Sequence, residues 1–415
     1  MARCIARNAS LPPMSGRARR VGGVTAAFVG AVTLGLAMAP MAVGPILPPQ
    51  SPVAVASPTA RPAPSEEIPR PSHEQGVSGG RSAPPELLPL SEATAAELQA
   101  AVDRARATYG LDVLVVGVSV DATRGWSGGS GTAPDGRTRL TGDDPFAIAS
   151  VTKTFTATVV LQLVEEGRLS LDDPVSDYLP DVAQVRGVTV RQLLSHTSGV
   201  ADLLAPMRRA LNADTRRLWT PAEVLTFIGP SVFAPGTDWG YSNTNFILLG
   251  MVVEAITGHP FGDELARRAL EPLELSEAGV LATPDAPWLF SESWASAFWT
   301  AGGMYASADD LLRWGDALYG GWMLRSATLQ AMLTFNADDY GLGAERYDVG
   351  GEVGYGHSGL LLGFTTLLMH LPGERVTISL VATDRSFTPT DLLAWRAPGQ
   401  PSILDLALEA AAPTG

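Results

Sequence analysis

The sequence is nearly free of cysteine. Its 415 residues include one cysteine, Cys4, which lies in a segment typical of an N-terminal leader. The rest of the chain therefore has no thiol for a disulfide, a thiolate metal site or a cysteine nucleophile. The five histidines show no HExxH or comparable metal spacing, so we expect no metal and no other cofactor.

The chain also lacks a basic surplus. Its formal net charge is −14 at pH 7. Nucleic-acid binding depends on clustered lysine and arginine, so we expect no nucleic-acid partner and look instead for a small-molecule or peptide substrate. The acidity bears on solubility rather than on fold, and nothing in the composition indicates an oligomeric state.

Residues 1–44 are predicted to be a signal peptide or an N-terminal membrane anchor. Arg19 and Arg20 precede an uncharged apolar stretch over residues 21–47. A basic region followed by an apolar one is typical of export signals, and this stretch is also long enough to span a bilayer. Ala37-Met38-Ala39 offers a cleavage site, but Pro40 follows it, so both alternatives stay open. Either one predicts an extracytoplasmic protein, secreted or anchored to the outer face of the cytoplasmic membrane.

Residues 45–92 are predicted to be a Pro/Ser-rich linker. The segment is rich in proline, serine, alanine and glycine, and such a composition buries too little apolar surface to order itself. Ser91, followed by Glu92 and Glu97, is typical of a helix start. A single large domain is therefore expected over residues 93–412.

The apolar patterns of this domain predict an α+β fold with a helical insertion. Apolar or β-branched runs near both ends indicate strands, Pro372-Gly373 indicates a hairpin turn, and helical spacing dominates the middle. The predicted segments are a strand over 111–120, a helix over 150–166, helices and loops over 170–290, strands over 364–371 and 376–382, and a helix over 402–412.

Lysine is as rare as cysteine in this chain, although arginine is common. The chain has one lysine, Lys153, and 28 arginines. Arginine stays protonated in proteins, whereas a desolvated lysine can lose its proton. Lys153 follows Ser150 by three residues, which places both side chains on one face of the predicted helix. The alternative explanation is that the sequence simply prefers arginine to lysine and that the spacing of Ser150 and Lys153 is a coincidence.

A neutral lysine could activate the serine hydroxyl. A hydroxyl is a weak nucleophile until a neighbouring base removes its proton. The lysine pKa would have to fall by roughly three units, about 4 kcal/mol, to serve near neutrality. Burial can supply that change, and the N–H groups at a helix N-terminus can stabilise an oxyanion.

Two further segments carry candidate chemistry. The Gly- and Pro-containing loop over residues 235–245 includes Tyr241 and Asn243, a phenol and an amide that can relay protons and bind a carbonyl. The segment Tyr355–Leu360 includes His357 between glycines, which allow close backbone approach. Taken alone, each segment could equally be structural: a turn with a packed tyrosine, and a histidine satisfied within the protein.

Together with Leu193–Val200 and Gly302–Leu311, these motifs resemble the serine β-lactamase and penicillin-recognising DD-peptidase superfamily. The similarity covers about residues 93–412 and is greatest to the group of class C β-lactamases, D-alanyl-D-alanine carboxypeptidases, D-aminopeptidases and related esterases. It implies an antiparallel sheet flanked by helices, a mostly helical inserted subdomain, and an active site between them.

The resemblance also implies roles for individual residues. Ser150 would attack a carbonyl and become acylated, Lys153 would activate it, and Tyr241 would share proton transfer with that lysine. Asn243 would hold the substrate amide. The backbone N–H groups of Ser150 and Leu360 would form the oxyanion hole.

The third motif, His357-Ser358-Gly359, is expected to bind substrate but departs from the usual K-T-G. Ser358 keeps the hydroxyl of the threonine it replaces, whereas His357 carries less positive charge than lysine near pH 7. Arg346 is a candidate carboxylate contact that would compensate, with a solvated loop arginine as the alternative. Asp202, in the loop after Gly199, is a further candidate substrate contact.

The sequence thus predicts an exported serine hydrolase that forms an acyl-enzyme on Ser150. Activity of the D-alanyl-D-alanine carboxypeptidase type, or of a related D-amino-acid peptidase, is expected first. Esterase and β-lactamase activities are the alternatives within the family. A non-catalytic cell-wall-binding protein is the alternative of another class, and the intact Ser150, Lys153, Tyr241 and Asn243 argue against it.

Overall fold

A computed structural model describes residues 86–132, 140–280, 291–361, 363–383 and 387–412. The predicted leader and most of the predicted linker lie outside these residues. Among the residues described, no helix combines the length and the apolar character that crossing a bilayer requires.

A seven-stranded sheet forms the centre of the fold, in the order β1-β3-β2-β10-β9-β8-β7. Every neighbouring pair is antiparallel except β1 and β3, which are parallel. A smaller sheet has the order β4-β6-β5. The strands are β1 (Leu88–Pro89), β2 (Val113–Val120), β3 (Arg124–Gly131), β4 (Phe146–Ala147), β5 (Gly279–Val280), β6 (Met304–Ala306), β7 (Glu345–Val349), β8 (Glu352–Leu361), β9 (Phe364–Leu371) and β10 (Val376–Thr383).

Helices cover both faces of the large sheet and fill the segment between β4 and β6. The α-helices of the described residues are α1 (Glu92–Tyr109), α2 (Thr152–Glu165), α3 (Val190–Leu194), α4 (Leu204–Ala213), α5 (Pro221–Leu225), α6 (Asn243–Thr257), α7 (Phe261–Leu265), α8 (Glu292–Gly302), α9 (Ala308–Tyr319), α10 (Ser326–Met332), α11 (Pro389–Ala394) and α12 (Ile403–Ala411). A 3₁₀ turn, Ala149–Val151, leads directly into α2.

The core is divided by the sheet into two layers. Every residue of β2 is buried, and alternate side chains of this strand enter opposite layers. One layer contains α1 and α12. The other contains α9 and the helical region, in which α2, α6 and α8 pack against one another. This arrangement places the 3₁₀ turn before α2 against β8.

The predicted α+β class, with its helical insertion, is confirmed. The side chain of Ser91 caps α1, as expected, and the predicted hairpin joins β9 to β10. The predictions missed β3, whose sequence Arg-Gly-Trp-Ser-Gly-Gly-Ser-Gly lacks the β-branched residues that mark a strand. β1 lies within the predicted linker, where Leu88 and Pro89 pair with β3. The Tyr355–Leu360 segment lies within β8 rather than ahead of the strands.

Candidate active site

The nucleophile candidate lies on a strained turn. Ser150 is the middle residue of the 3₁₀ turn, and Ala149 before it has a φ of +47°, a region that costs free energy for any residue except glycine. Ala149 and Val151 are buried, whereas Ser150 is partly exposed. The turn therefore presents the hydroxyl at the surface while its neighbours anchor it in the core.

Lys153 is completely buried beside this hydroxyl. Its Nζ lies 3.1 Å from Ser150 Oγ, 2.9 Å from Asn243 Oδ1 and 2.6 Å from the carbonyl oxygen of Ala301. Ala301 is in the last turn of α8, where carbonyl groups have no partner within the helix. Burial lowers the pKa of Lys153 to about 7, although the carboxylates of Asp202 and Glu345 oppose that shift.

This geometry suits a neutral amine that acts as a base. A neutral amine has two hydrogens and one lone pair. Asn243 Oδ1 and the Ala301 carbonyl can only accept, so they take the two hydrogens. The lone pair is then left for Ser150 Oγ, the third neighbour of the amine.

Tyr241 completes the contacts of the nucleophile. Its hydroxyl donates to Ser150 Oγ at 2.8 Å. Burial, the largest cause, raises the pKa of Tyr241 well above its usual value of 10. The side chain is therefore a phenol near neutral pH, which can donate a proton but is not itself a phenolate base.

His196 of the Leu193–Val200 motif fixes the loop that carries Tyr241. Its backbone carbonyl accepts from the Gly240 N–H at 2.9 Å, and its Nδ1 accepts from the Ser242 N–H at 3.3 Å. The His196 and Tyr241 ring centroids are 4.4 Å apart. Burial lowers the pKa of His196 well below its usual value, so the ring is neutral where it packs against Tyr241.

Asp202 determines how Asn243 is oriented. One oxygen of its carboxylate accepts from the Asn243 backbone N–H at 2.6 Å and from the Asn243 side-chain Nδ2 at 3.0 Å. The amide oxygen of Asn243 therefore faces Lys153. The second oxygen of Asp202 accepts from the Leu204 N–H at 3.0 Å, and a contact of Asp202 with substrate stays a prediction.

His357 is buried within the protein rather than exposed to the cleft. Its side chain has no solvent exposure, its Nε2 lies 3.0 Å from the Tyr340 hydroxyl, and its Nδ1 lies 2.6 Å from the Ser358 carbonyl oxygen. Burial lowers the pKa of His357, with Glu345 opposing the shift. Both ring nitrogens thus have partners inside the protein, and a direct contact with substrate stays a prediction.

Gly359 brings β8 against the nucleophile turn. A Cβ at this position would lie 2.7 Å from the Ile148 carbonyl oxygen and 3.0 Å from Ala149 Cβ, so only glycine permits this approach. The Ser358 N–H points away from β9, toward a side chain of β7. Successive N–H groups alternate along a strand, so the Leu360 N–H points to the same edge. β7 begins opposite Gly356 and does not pair with β8 at Leu360, and the oxyanion role of the Leu360 N–H stays a prediction.

Arg346 and its neighbour Glu345 have different partners, and the role of Arg346 as a carboxylate contact stays a prediction. Arg346 forms an ion pair with Asp339 at 3.0 Å and is about half exposed. Glu345 was not predicted, yet its Oε2 accepts from the Ser358 N–H and from the Ser358 hydroxyl, both at 2.8 Å. Alternation along β7 places Glu345 and Arg346 on opposite faces. The sequence held no motif that would have marked Glu345, since only the pairing of β7 with β8 brings it to Ser358.

The comparisons with known proteins agree with this architecture. The profile of the Beta-lactamase family matches residues 98–400. The chain is 31% identical to Penicillin-binding protein 4 of Amycolatopsis lactamdurans over 58% of this chain and 73% of that protein. It is 29% identical to a D-aminopeptidase of Brucella anthropi over 58% of this chain, and it spans only 50% of that relative.

Solved structures show the same fold. A D-stereospecific amidohydrolase from Streptomyces sp. superposes with a TM-score of 0.61 at 30% identity, covering 70% of this chain and 94% of that one. A D-amino acid amidase from Ochrobactrum anthropi SV3 gives a TM-score of 0.63 at 25% identity, with coverage of 70% and 94%. By profile, sequence and fold, the chain belongs to the beta-lactamase family, within the serine β-lactamase and penicillin-recognising DD-peptidase superfamily of serine hydrolases.

Proposed function

We propose that this protein is an extracytoplasmic hydrolase that cleaves amide bonds at D-amino acid residues through an acyl-enzyme on Ser150. The observation that carries the proposal is the convergence on one hydroxyl of a buried lysine, whose pKa is lowered to about 7, and a protonated tyrosine. A partly neutral amine at physiological pH is what activation of a serine requires.

Acylation would proceed in three proton transfers. Lys153 takes the Ser150 proton as Oγ attacks the substrate carbonyl carbon. The negative charge that develops on the carbonyl oxygen is stabilised by the N–H groups of Ser150 and Leu360. As the C–N bond breaks, the Tyr241 hydroxyl protonates the leaving nitrogen, and the Lys153 ammonium restores the proton to Tyr241. Water then cleaves the acyl-enzyme by the same groups in reverse order.

The similar proteins favour D-amino acid substrates. Those named above include a D-aminopeptidase, a D-stereospecific amidohydrolase and a D-amino acid amidase. The second candidate is a D-alanyl-D-alanine carboxypeptidase, which the likeness to Penicillin-binding protein 4 favours. Esterase and β-lactamase activities use the same acylation step and remain further alternatives.

Intact-mass spectrometry of the full chain beside Ser150→Ala tests the nucleophile. The probes are benzylpenicillin, an N-acylated D-alanyl-D-alanine, a D-amino acid amide with its L enantiomer, and a short-chain ester. We expect turnover of the D amide but not of its L enantiomer, and covalent adducts on the wild type alone. Labelling of Ser150→Ala at the wild-type rate would refute the nucleophile. Penicillin turnover would indicate a β-lactamase, and no reaction with any probe would favour the binding protein.

Extracytoplasmic location is part of the same proposal and rests on the basic and apolar pattern of residues 1–44. Fractionation of the native host, with the chain detected by antibody, tests it. Recovery with membranes supports an uncleaved anchor, and recovery from the medium in a shortened form supports cleavage. Recovery in the cytoplasm would exclude export.

A further inference from the structure

A carboxylate occupies the end of the cleft at which the third motif lies. Glu345 is the first residue of β7 and pairs with Gly356 of β8. Its Oε2 accepts from the N–H and the hydroxyl of Ser358, and also from the Tyr347 hydroxyl. The polar hydrogens that Ser358 could offer a ligand are therefore already directed to a carboxylate of the protein.

Within the described part of the chain, Glu345 has no direct ion pair with a lysine or an arginine. Its nearest basic group is His357 Nδ1, 3.6 Å from Oε1. That nitrogen already bonds to the Ser358 carbonyl, and burial disfavours protonation of the ring. Arg346, the neighbour in sequence, lies on the other face and pairs with Asp339.

The charge is close enough to the reacting groups to matter. Gly359, one residue beyond Ser358, packs on the turn that holds Ser150. Glu345 also acts electrostatically on both Lys153 and Tyr241. Its side chain is 23% exposed, so it borders solvent rather than the core. A group of a bound substrate that reached Ser358 would meet this carboxylate.

We propose that Glu345 is a specificity-determining residue that excludes substrates with a carboxylate beside the scissile bond and favours those with an uncharged or cationic group there. A like charge beside this carboxylate is repelled, and the two donors of Ser358 are already bonded to Glu345. The substrate class becomes D-amino acid amides and peptides that are amidated or continue beyond the cleaved bond, rather than C-terminal D-alanyl-D-alanine. This inference rests on the proposed function and narrows its substrate.

Two substrates test the proposal: N-acetyl-D-alanyl-D-alanine and its C-terminal methylamide, in which an uncharged amide replaces the terminal carboxylate. Mass spectrometry follows cleavage of the same internal bond in both. We expect the wild type to prefer the methylamide at least tenfold in kcat/KM. In Glu345→Gln, whose amide oxygen still accepts from Ser358, we expect the ratio to fall to within about threefold through a gain on the carboxylate. Asp348→Asn removes an exposed charge from the same strand and should keep the wild-type ratio.

Equal cleavage of the two substrates by the wild type, or an unchanged ratio in Glu345→Gln, would overturn the role of Glu345. Binding of both compounds to Ser150→Ala, measured by calorimetry, gives the same comparison without chemistry. If the wild type cleaves neither compound but Ser150→Ala still binds the methylamide more tightly, the result counts against the proposed function and not against the role of Glu345. If Glu345→Gln does not fold, the wild type is assayed at low and high ionic strength instead. Salt screens the repulsion, so the preference for the methylamide must shrink as ionic strength rises.

Discussion

The two sides of the cleft are built on different physical terms. On the reacting side, Lys153 is fully buried and has three defined neighbours, and Tyr241 donates directly to Ser150. On the β8 side, Glu345 and Ser358 are only partly buried and leave a charge near solvent. Burial sets the pKa values of Lys153 and Tyr241 on the first side, whereas on the second side a partly exposed carboxylate acts on the ligand. Mutations on the two sides should therefore affect different kinetic parameters.

The largest expected effect is that of Lys153→Arg. Arginine keeps the positive charge but has no lone pair to take the Ser150 proton, so the acylation rate should fall by about 10³-fold or more. Stopped-flow or intact-mass kinetics measure that rate. Arg186→Lys, the reverse exchange at an exposed position, is the matched control and should be neutral.

A buried guanidinium could also unfold the protein, so Lys153→Ala provides a second route. Small alkylamines added to this variant should restore part of the rate with a pH dependence set by the amine. Acylation of Lys153→Arg within tenfold of the wild type, or no rescue of a folded Lys153→Ala, would contradict the role of Lys153 as the base.

Tyr241→Phe should have the next largest effect, and only where the leaving group needs a proton. Loss of the hydroxyl that donates to Ser150 at 2.8 Å should lower kcat/KM for an amide by about 10²-fold. A p-nitrophenyl ester, whose leaving group departs without a proton, should lose far less. Tyr109→Phe is a control outside the cleft. An equal loss on both substrates would show that Tyr241 does not protonate the leaving group.

The sequence predicted the reacting side better than the β8 side. Ser150 and Lys153 are three residues apart, so local spacing predicts their contact, and Lys153 is the only lysine in the sequence. Asn243 begins α6, and local spacing does not predict that it meets Asp202, which lies in the loop before α4. Only the folded loop shows that it orients the amide.

Long-range strand pairing explains what was missed. Glu345 lies 13 residues before Ser358 along the chain, and the β7–β8 hairpin alone brings them together. The glycines of β8 weaken the strand pattern in its sequence, because glycine is uncommon in strands. Gly359 is nevertheless required, since β8 packs directly against the nucleophile turn at this residue. Likewise local sequence does not predict the burial of His357, because it depends on contact with Tyr340, which lies between α10 and β7. The residues of the β8 side thus take their roles from pairing partners, which local patterns do not reveal.

The smallest expected effect is on the pH dependence of acylation. It tests whether a charge on the β8 side changes the pKa of Lys153 on the reacting side. Because the pKa of Lys153 is lowered to about 7 and the neutral amine is the active form, kcat/KM should rise with pH through about 7 and then level off. The carboxylates of Asp202 and Glu345 both raise that pKa, Asp202 more than Glu345. Neutralising either one should therefore move the midpoint to lower pH, by less than about one pH unit.

Measured on a neutral ester, Asp202→Asn should shift the midpoint further than Glu345→Gln, and Asp348→Asn should not shift it. An upward shift in either of the first two variants would mean that another group titrates in the profile. If Glu345→Gln changes the carboxylate preference but leaves the midpoint in place, the charge acts on the ligand alone, and the two sides of the cleft are electrostatically independent.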